Sequence, residues 1–209
     1  MYSISSLLGL TLLAHLLSGM EMGPEHPPGR EKSNWVVLKS SSLEITGRTN
    51  VNHFSCGVPQ YTEADTLRFL AEGAGAHMTG IGLSGTLRLD IDQFDCRSRV
   101  MTSEFKKALQ YVRYPQLTIH FVSLEKMPGF TSQPEIIKGE VEIGLAGVIK
   151  SFEIDYTASR SDRCAVELAG MRPLSFHDFG LKPPHKMGGL VKVNDSLHVR
   201  FTLCLRQVE

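Results

Sequence analysis

The 209-residue sequence has no excess of charge of either sign and no long run of one sign. It contains 22 basic and 22 acidic residues, so strong attraction to nucleic acid or to an anionic membrane surface is not expected. A P-loop is also missing. We therefore expect no nucleic-acid partner and no cofactor.

Sequence motifs of catalysis and of metal binding are equally scarce. There is no G-x-S-x-G nucleophile elbow and no C-x-x-C pair. His53 and Cys56 are ligand types at short spacing, but zinc normally takes three or four ligands and no second pair is evident. Asp90, Asp92 and Asp95 lack the glycine and the final glutamate of a calcium loop. We predict a protein that is not an enzyme and holds no metal.

The N-terminus resembles a targeting segment. Residues 7–17 are almost wholly apolar, and small residues follow at positions 18 and 19. The run is shorter than the ~20 residues that span a bilayer, so we predict a signal peptide over 1–19 and export to the periplasm or beyond. No basic residue precedes Arg30, so a short buried helix and an uncleaved anchor remain alternatives.

The remainder fits one domain. Residues 20–33, rich in proline, glycine and charge, are predicted to be a flexible spacer, and 34–209 to be the folded domain with no stable membrane span. Hydrophobic residues make up 42% of the chain, which is enough for a substantial core. Strands are predicted over 35–38, 43–46, 50–56, 66–71, 85–91, 117–124, 139–145, 149–157, 164–168 and 196–205.

Apolar and polar residues alternate along several of these strands, as in half-buried β structure. One helix is predicted, capped by Thr102 or Ser103 and ended at Tyr114-Pro115. Strands do not alternate with helices, which excludes a doubly wound α/β fold. We predict an all-β fold, an extended antiparallel lipocalin-like barrel with one short helix, because one-sided polarity on so many strands suits a sheet wrapped around its interior.

Five segments, in order, resemble the motifs of the YceI-like family. Residues 42–56 contain T-N-V-N-x-F-x-C, which resembles the opening of a divergent branch of that family. The segments 89–96, 114–121, 139–147 and 178–181 resemble its central strand, helix exit, G-x-L-x-I-x-G strand and D-F-G loop. Each motif is weak alone, and the ordered set is more specific.

The resemblance implies an exported carrier that holds an isoprenoid-type lipid or quinone tail inside the barrel, for transport, storage or sequestration. Alternating apolar residues that share one face of the sheet would then line the cavity. The predicted ligand-binding residues are Phe54, Leu87, Leu89, Ile119, Phe121, Val141, Ile143, Phe152, Ile154, Tyr156, Val166, Leu168, Phe201 and Leu203.

Four cysteines in an exported protein suggest disulfides. Cys56 and Cys96 both share strand parity with an apolar neighbour, which favours a bond between them. Cys164 and Cys204 have opposite parities relative to the apolar face, so their pairing is left open. Buried free thiols are the alternative.

Two other functions remain open. The first is an envelope structural or interaction protein with a side-chain-filled barrel and a partner surface on residues 171–189. The second is a hydrolase or metal-dependent enzyme that uses His53, His177 or His185. Association into a homodimer is also left open.

Overall fold

The computed structural model describes residues 33–58, 61–70, 80–129, 131–162, 164–186 and 190–208. The predicted signal peptide and all of the predicted spacer except Ser33 lie outside the described residues. Within the described part of the chain, no helix is long and apolar enough to cross a membrane.

The described residues form an antiparallel β-barrel with a single α-helix, which confirms the predicted all-β, lipocalin-like fold. Two short 3-10 helices, Ile91–Gln93 and Phe176–Phe179, lie between strands. The strands and the helix are β1 Ser33–Val37, β2 Ser42–Thr49, β3 His53–Val58, β4 Thr66–Phe69, β5 Ile81–Asp90, α1 Arg99–Ala108, β6 Gln116–Leu124, β7 Glu135–Leu145, β8 Val148–Ser161, β9 Cys164–Ser175, β10 His185–Lys186 and β11 Val191–Val208.

Strand β11 closes the barrel. One of its edges pairs with β9, from Ser196 to Leu205. The opposite edge pairs first with β2 and then, near its C-terminal end, with β1. From β1 the sheet continues through β4, β5, β6, β7 and β8 back to β9, so the sheet returns to the strand at which it began.

Period-two alternation decides which side chains face the interior. In β8, Phe152, Ile154 and Tyr156 are buried, whereas Glu153 and Asp155 between them are exposed. Successive side chains on a strand point to opposite faces of the sheet, so every strand with this pattern adds apolar side chains to one shared interior.

The two ends of the barrel are closed differently. At one end the rings of Trp35 and Phe69 pack edge to face, with centroids 5.8 Å apart, and Leu205 is fully buried. At the other end, buried Phe105 of α1 and the 3-10 helix Phe176–Phe179 cover the interior. Two cavities lie in the space between these closures.

The helix begins and ends earlier than predicted. Its N-cap is Ser98, whose hydroxyl accepts a hydrogen bond from the Met101 amide. Thr102, one of the two predicted caps, instead accepts a hydrogen bond from the Cys96 amide. The other predicted cap, Ser103, lies inside the helix. Gln110, at φ 57°, turns the chain out of the helical conformation, so the helix stops before the predicted Tyr114-Pro115 boundary.

Both pairs of cysteines form disulfides. The predicted Cys56–Cys96 bond is confirmed, and Cys164 and Cys204 are also bonded, with Cα atoms 5.2 Å apart. Parity along the strand did not reveal the second bond, for two reasons. Leu203, Cys204 and Leu205 are buried consecutively, so alternation fails there, and Cys164 is the first residue of β9, next to a turn.

The two disulfides make a matched pair for a stability measurement, because each joins cysteines separated by 40 residues. Replacing both cysteines of either bond by alanine should lower the free energy of unfolding by about 3–4 kcal/mol, through the loop entropy regained by the unfolded chain. Urea unfolding of the two double variants measures this loss. Unchanged stability of both variants would contradict the assigned pairing.

Candidate functional site

Two adjoining cavities occupy the interior between the closed ends. The first, here named the central cavity, and the second, the cap cavity beneath α1 and the 3-10 helix, each have a volume of about 50 Å³. A single water molecule needs about 10–15 Å³ by the same kind of measure. The cavities are therefore narrow slots. Both include the side chains of Leu43, Ile119, Ile143, Leu174 and Val199 in their walls.

The order of side chains along β11 shows how the two cavities follow one another. Leu197 and Val199 line the cap cavity, whereas Val199, Phe201 and Leu203 line the central cavity. Leu205 comes next, is fully buried and lines neither cavity. The cavities thus lie one after the other along the strand. Only side chains that line both cavities lie between them, with no intervening backbone.

Ten of the fourteen residues predicted to bind a ligand line the central cavity: Leu87, Leu89, Ile119, Phe121, Val141, Ile143, Ile154, Tyr156, Phe201 and Leu203. Their role in binding remains a prediction. Val166 and Leu168 are buried elsewhere in the interior. Phe152 is buried against Phe179, with ring centroids 6.1 Å apart. Phe54 is half-buried and lines a separate open groove beside His53 and His198.

Sequence reasoning missed eight residues of the central cavity wall. Two of them, Val199 and Leu43, follow the same period-two pattern as their neighbours. Val199 lies two residues before Phe201 on β11, and Leu43 lies two residues before Ile45 on β2. Ser41 lies in the turn before β2, where no periodicity exists, and its hydroxyl donates to the Cys204 carbonyl. The other missed residues are Ser42, Val58, Tyr61, Arg172 and Leu174.

Two polar atoms of this wall are buried and have no hydrogen-bond partner among the described residues. They are the hydroxyl of Tyr156 and Nε of Arg172. Burial raises the pKa of Tyr156, so the hydroxyl stays protonated at ordinary pH. A buried donor without an acceptor costs about 1–3 kcal/mol, which makes these two atoms exceptional in a mostly apolar wall.

Tyr61, which also lines the central cavity, is different because its hydroxyl donates to the carboxylate of Asp65. Burial, and then this hydrogen bond, raise the pKa of the Tyr61 hydroxyl. The polar end of Tyr61 is therefore satisfied within the protein, and that of Tyr156 is not.

The barrel wall opens between β8 and β9. Their hydrogen-bonded ladder ends at the Tyr156–Gly170 pair. Beyond that pair, residues 148–155 of β8 pair only with β7, and residues 171–175 of β9 pair with β11. The two strands diverge at the level of the central cavity, and side chains close the opening instead of backbone hydrogen bonds.

Contacts of three side chains bridge this opening. Nη1 of Arg172 donates to the Glu153 carbonyl at 3.1 Å, and its guanidinium lies 5.7 Å from the centre of the Phe152 ring. Lys150 forms an ion pair with Asp178 of the 3-10 helix. Phe179 of the same helix packs against Phe152. The opening can therefore widen by side-chain movement without breaking a strand ladder.

A polar network holds the 3-10 helix in place. The Ser175 hydroxyl accepts from the His177 amide and donates to Asp195, while the Asp178 carboxylate accepts from the Ser175 amide. Nδ1 of His177 lies 2.6 Å from the Asp195 carboxylate. Gly180, in the left-handed conformation at φ 64°, ends the helix. The network thus fastens the segment after β9 to β11.

Both carboxyl groups of this network have pKa values below their ordinary value. The hydrogen bond from Lys150 is the main cause for Asp178. At Asp195 burial favours the protonated form, but hydrogen bonds from Ser175 and His177 outweigh it and lower the pKa. The charged forms therefore stabilise the closed end of the barrel.

Two of the three histidines named in the enzyme alternative have described side chains. His177 is engaged with Asp195, His53 lies in the open groove, and the side chain of His185 lies outside the described residues. Among the residues that the structure describes, one group of three metal-ligand types comes together, and it consists of Cys164, Glu167 and Cys204. Two of those three are joined as a disulfide.

Two solved structures share the barrel fold of this chain, and a third is a weaker match. BcnA of Burkholderia cenocepacia superposes with a TM-score of 0.59 at 13% identity, covering 82% of this chain and 99% of that chain. A polyisoprenoid-binding domain from Saccharophagus degradans superposes with a TM-score of 0.58 at 12% identity, covering 82% and 97%. A YceI protein of Campylobacter jejuni matches with a TM-score of 0.45 at 12% identity, covering 97% and 99%.

The likenesses to BcnA and to the polyisoprenoid-binding domain confirm the predicted antiparallel barrel fold. At such low identities they establish the fold alone. No protein-family model matches the sequence, and no curated protein is significantly similar to it. The function of the cavity must therefore be argued from its own residues.

Acidification should release the 3-10 helix. The two carboxylates stabilise the folded state above their ordinary pKa of 3.8, and this stabilisation is lost as the pH falls through their lower folded-state values. The ¹H–¹⁵N resonances of Gly180 and Leu181, whose amides donate to carbonyls of this helix, should shift over that range.

A variant with Asp178→Asn and Asp195→Asn is the control for this titration. It lacks the two titrating groups, so its Gly180 and Leu181 resonances should not shift in the same acidic range. Resonances of the unmodified protein that stay constant down to about pH 2 would refute the assigned role of the carboxylates.

Proposed function

We propose that this protein is an exported carrier or sequestering protein that binds an isoprenoid-type apolar chain inside its barrel. The observation that carries the proposal is the succession of two apolar cavities along β11, with ten predicted ligand-binding residues in one continuous wall. The related fold of a polyisoprenoid-binding domain supports the choice of ligand class.

Affinity for such a chain would come from burial. Each CH₂ group removed from water contributes about 0.8 kcal/mol, so a long chain needs few polar contacts and no reactive group. The present cavities are too narrow for a whole prenyl chain, and the interior side chains must therefore rearrange when it binds. The opening between β8 and β9, closed by side chains alone, provides the natural entry.

A solidly packed barrel with a purely structural role is less well supported. Such a barrel would fill its centre with side chains, whereas here two cavities adjoin between the closed ends. It would also have no need of a Tyr156 hydroxyl or an Arg172 Nε that lacks a partner. Two disulfides fit an oxidising compartment, which supports the proposed export.

Native mass spectrometry with farnesol or a prenylated quinone tests the function. We expect a one-to-one complex, and protein isolated from its own source should carry a lipid of this class. Repeated recovery of ligand-free protein that also fails to bind either added compound would overturn the proposal.

A pair of substitutions on β7 tests whether the interior is the binding site. Ile143 lines both cavities, and Ile136 on the same strand is exposed. Ile143→Phe should weaken farnesol binding at least about tenfold, because the added ring occupies space shared by the cavities. Ile136→Phe should bind as the unmodified protein does. Equal affinities of the two variants would place the ligand elsewhere.

A further inference from the structure

The central cavity contains two donors that its own walls do not satisfy. The Tyr156 side chain is 1% exposed, and its hydroxyl has no partner among the described residues. Phenylalanine would fill the same space without that cost, so the hydroxyl is out of place in a cavity built only for hydrocarbon.

Arg172 adds a charge to the same wall. Its guanidinium donates to a backbone carbonyl and lies over the Phe152 ring, but no carboxylate pairs with it among the described residues. The residues that line the central cavity include no aspartate or glutamate. Arg172 is half-buried, but its Nε is buried and has no partner among the described residues, so this donor is free to bind an acceptor in the cavity.

We propose that the ligand carries an anionic oxygen head, a carboxylate above all, which binds inside the central cavity to the Tyr156 hydroxyl and Nε of Arg172. This rests on the proposed function and deepens it, since it assigns the ligand a head as well as a chain. The head lies at the mouth of the β8–β9 opening. The apolar chain extends past Ile143 and Val199 into the cap cavity.

The assignment makes the protein selective for acids over neutral lipids. A carboxylate accepts several hydrogen bonds at once, and charge-assisted bonds are about twice as strong as neutral ones. An alcohol of the same chain offers a weaker acceptor without charge, and a hydrocarbon leaves both donors unpaired. A straight-chain acid and an isoprenoid acid share the head and differ only in the fit of the chain.

Competition with the neutral apolar dye N-phenyl-1-naphthylamine tests the proposal. The competitors are hexadecanoate, hexadecan-1-ol, farnesoate and farnesol. Within each chain type, the acid should displace the dye at a concentration about tenfold lower than the alcohol does. The comparison of farnesoate with hexadecanoate then shows which chain the cavity prefers.

Substitutions locate the head. Tyr156→Phe should weaken the binding of both acids about tenfold, and Arg172→Met should remove their advantage over the alcohols. Tyr114→Phe is the matched control, because the Tyr114 ring lies against Gly147 in the β7–β8 hairpin, outside both cavities. It should retain the full preference for acids.

The melting temperature of ligand-free Tyr156→Phe gives a readout independent of binding. Removing an unsatisfied buried hydroxyl should leave the melting temperature unchanged or raise it. A lower melting temperature would mean that the hydroxyl already has an acceptor in the protein, and it would overturn the proposal. Equal binding of acids and alcohols would also overturn it while leaving apolar-chain binding intact. Failure of the dye and of every chain to bind would overturn the proposed function as well.

Discussion

Strand β11 hydrogen-bonds to β9 along one edge and to β2 and β1 along the other, and this double pairing turns an antiparallel sheet into a barrel. Closure gives the inward side chains of different strands a single shared interior. It also fixes their order along the barrel, from Leu197 under the capping 3-10 helix to the fully buried Leu205 near the opposite end. The cavities lie in the middle of the barrel because the side chains that close its two ends do not extend that far.

The same closure leaves one weakness in the wall. β8 and β9 stop pairing at Tyr156 and Gly170, and Arg172, Lys150 and Phe179 bridge the gap with side-chain contacts alone. Entry of a chain at this point would break no strand ladder. Arg172 lies at that gap, and Tyr156 is in the last β8–β9 pair beside it.

The strands could be predicted because alternation is a local property of the sequence. Ten of the cavity residues, including Val141 and Ile143, followed from it directly. Alternation could not show that Val166 and Leu168 face a filled part of the interior, because that depends on how far the closed end extends. It could not reveal Arg172 either, since a charged residue is assigned to the surface until the divergence of β8 and β9 is known. The Ser98 cap and the Cys164–Cys204 bond depend on irregular backbone, which has no period.

The central claim is that one chain occupies both cavities, and nuclear Overhauser effects from the protons of bound farnesoate to methyl groups of the isotope-labelled protein test it most directly. The account predicts contacts to Leu89 and Leu203 in the central cavity and also to Leu181 and Leu197 in the cap cavity. Contacts confined to exposed side chains such as Val51 and Leu190, with none in the interior, would contradict it.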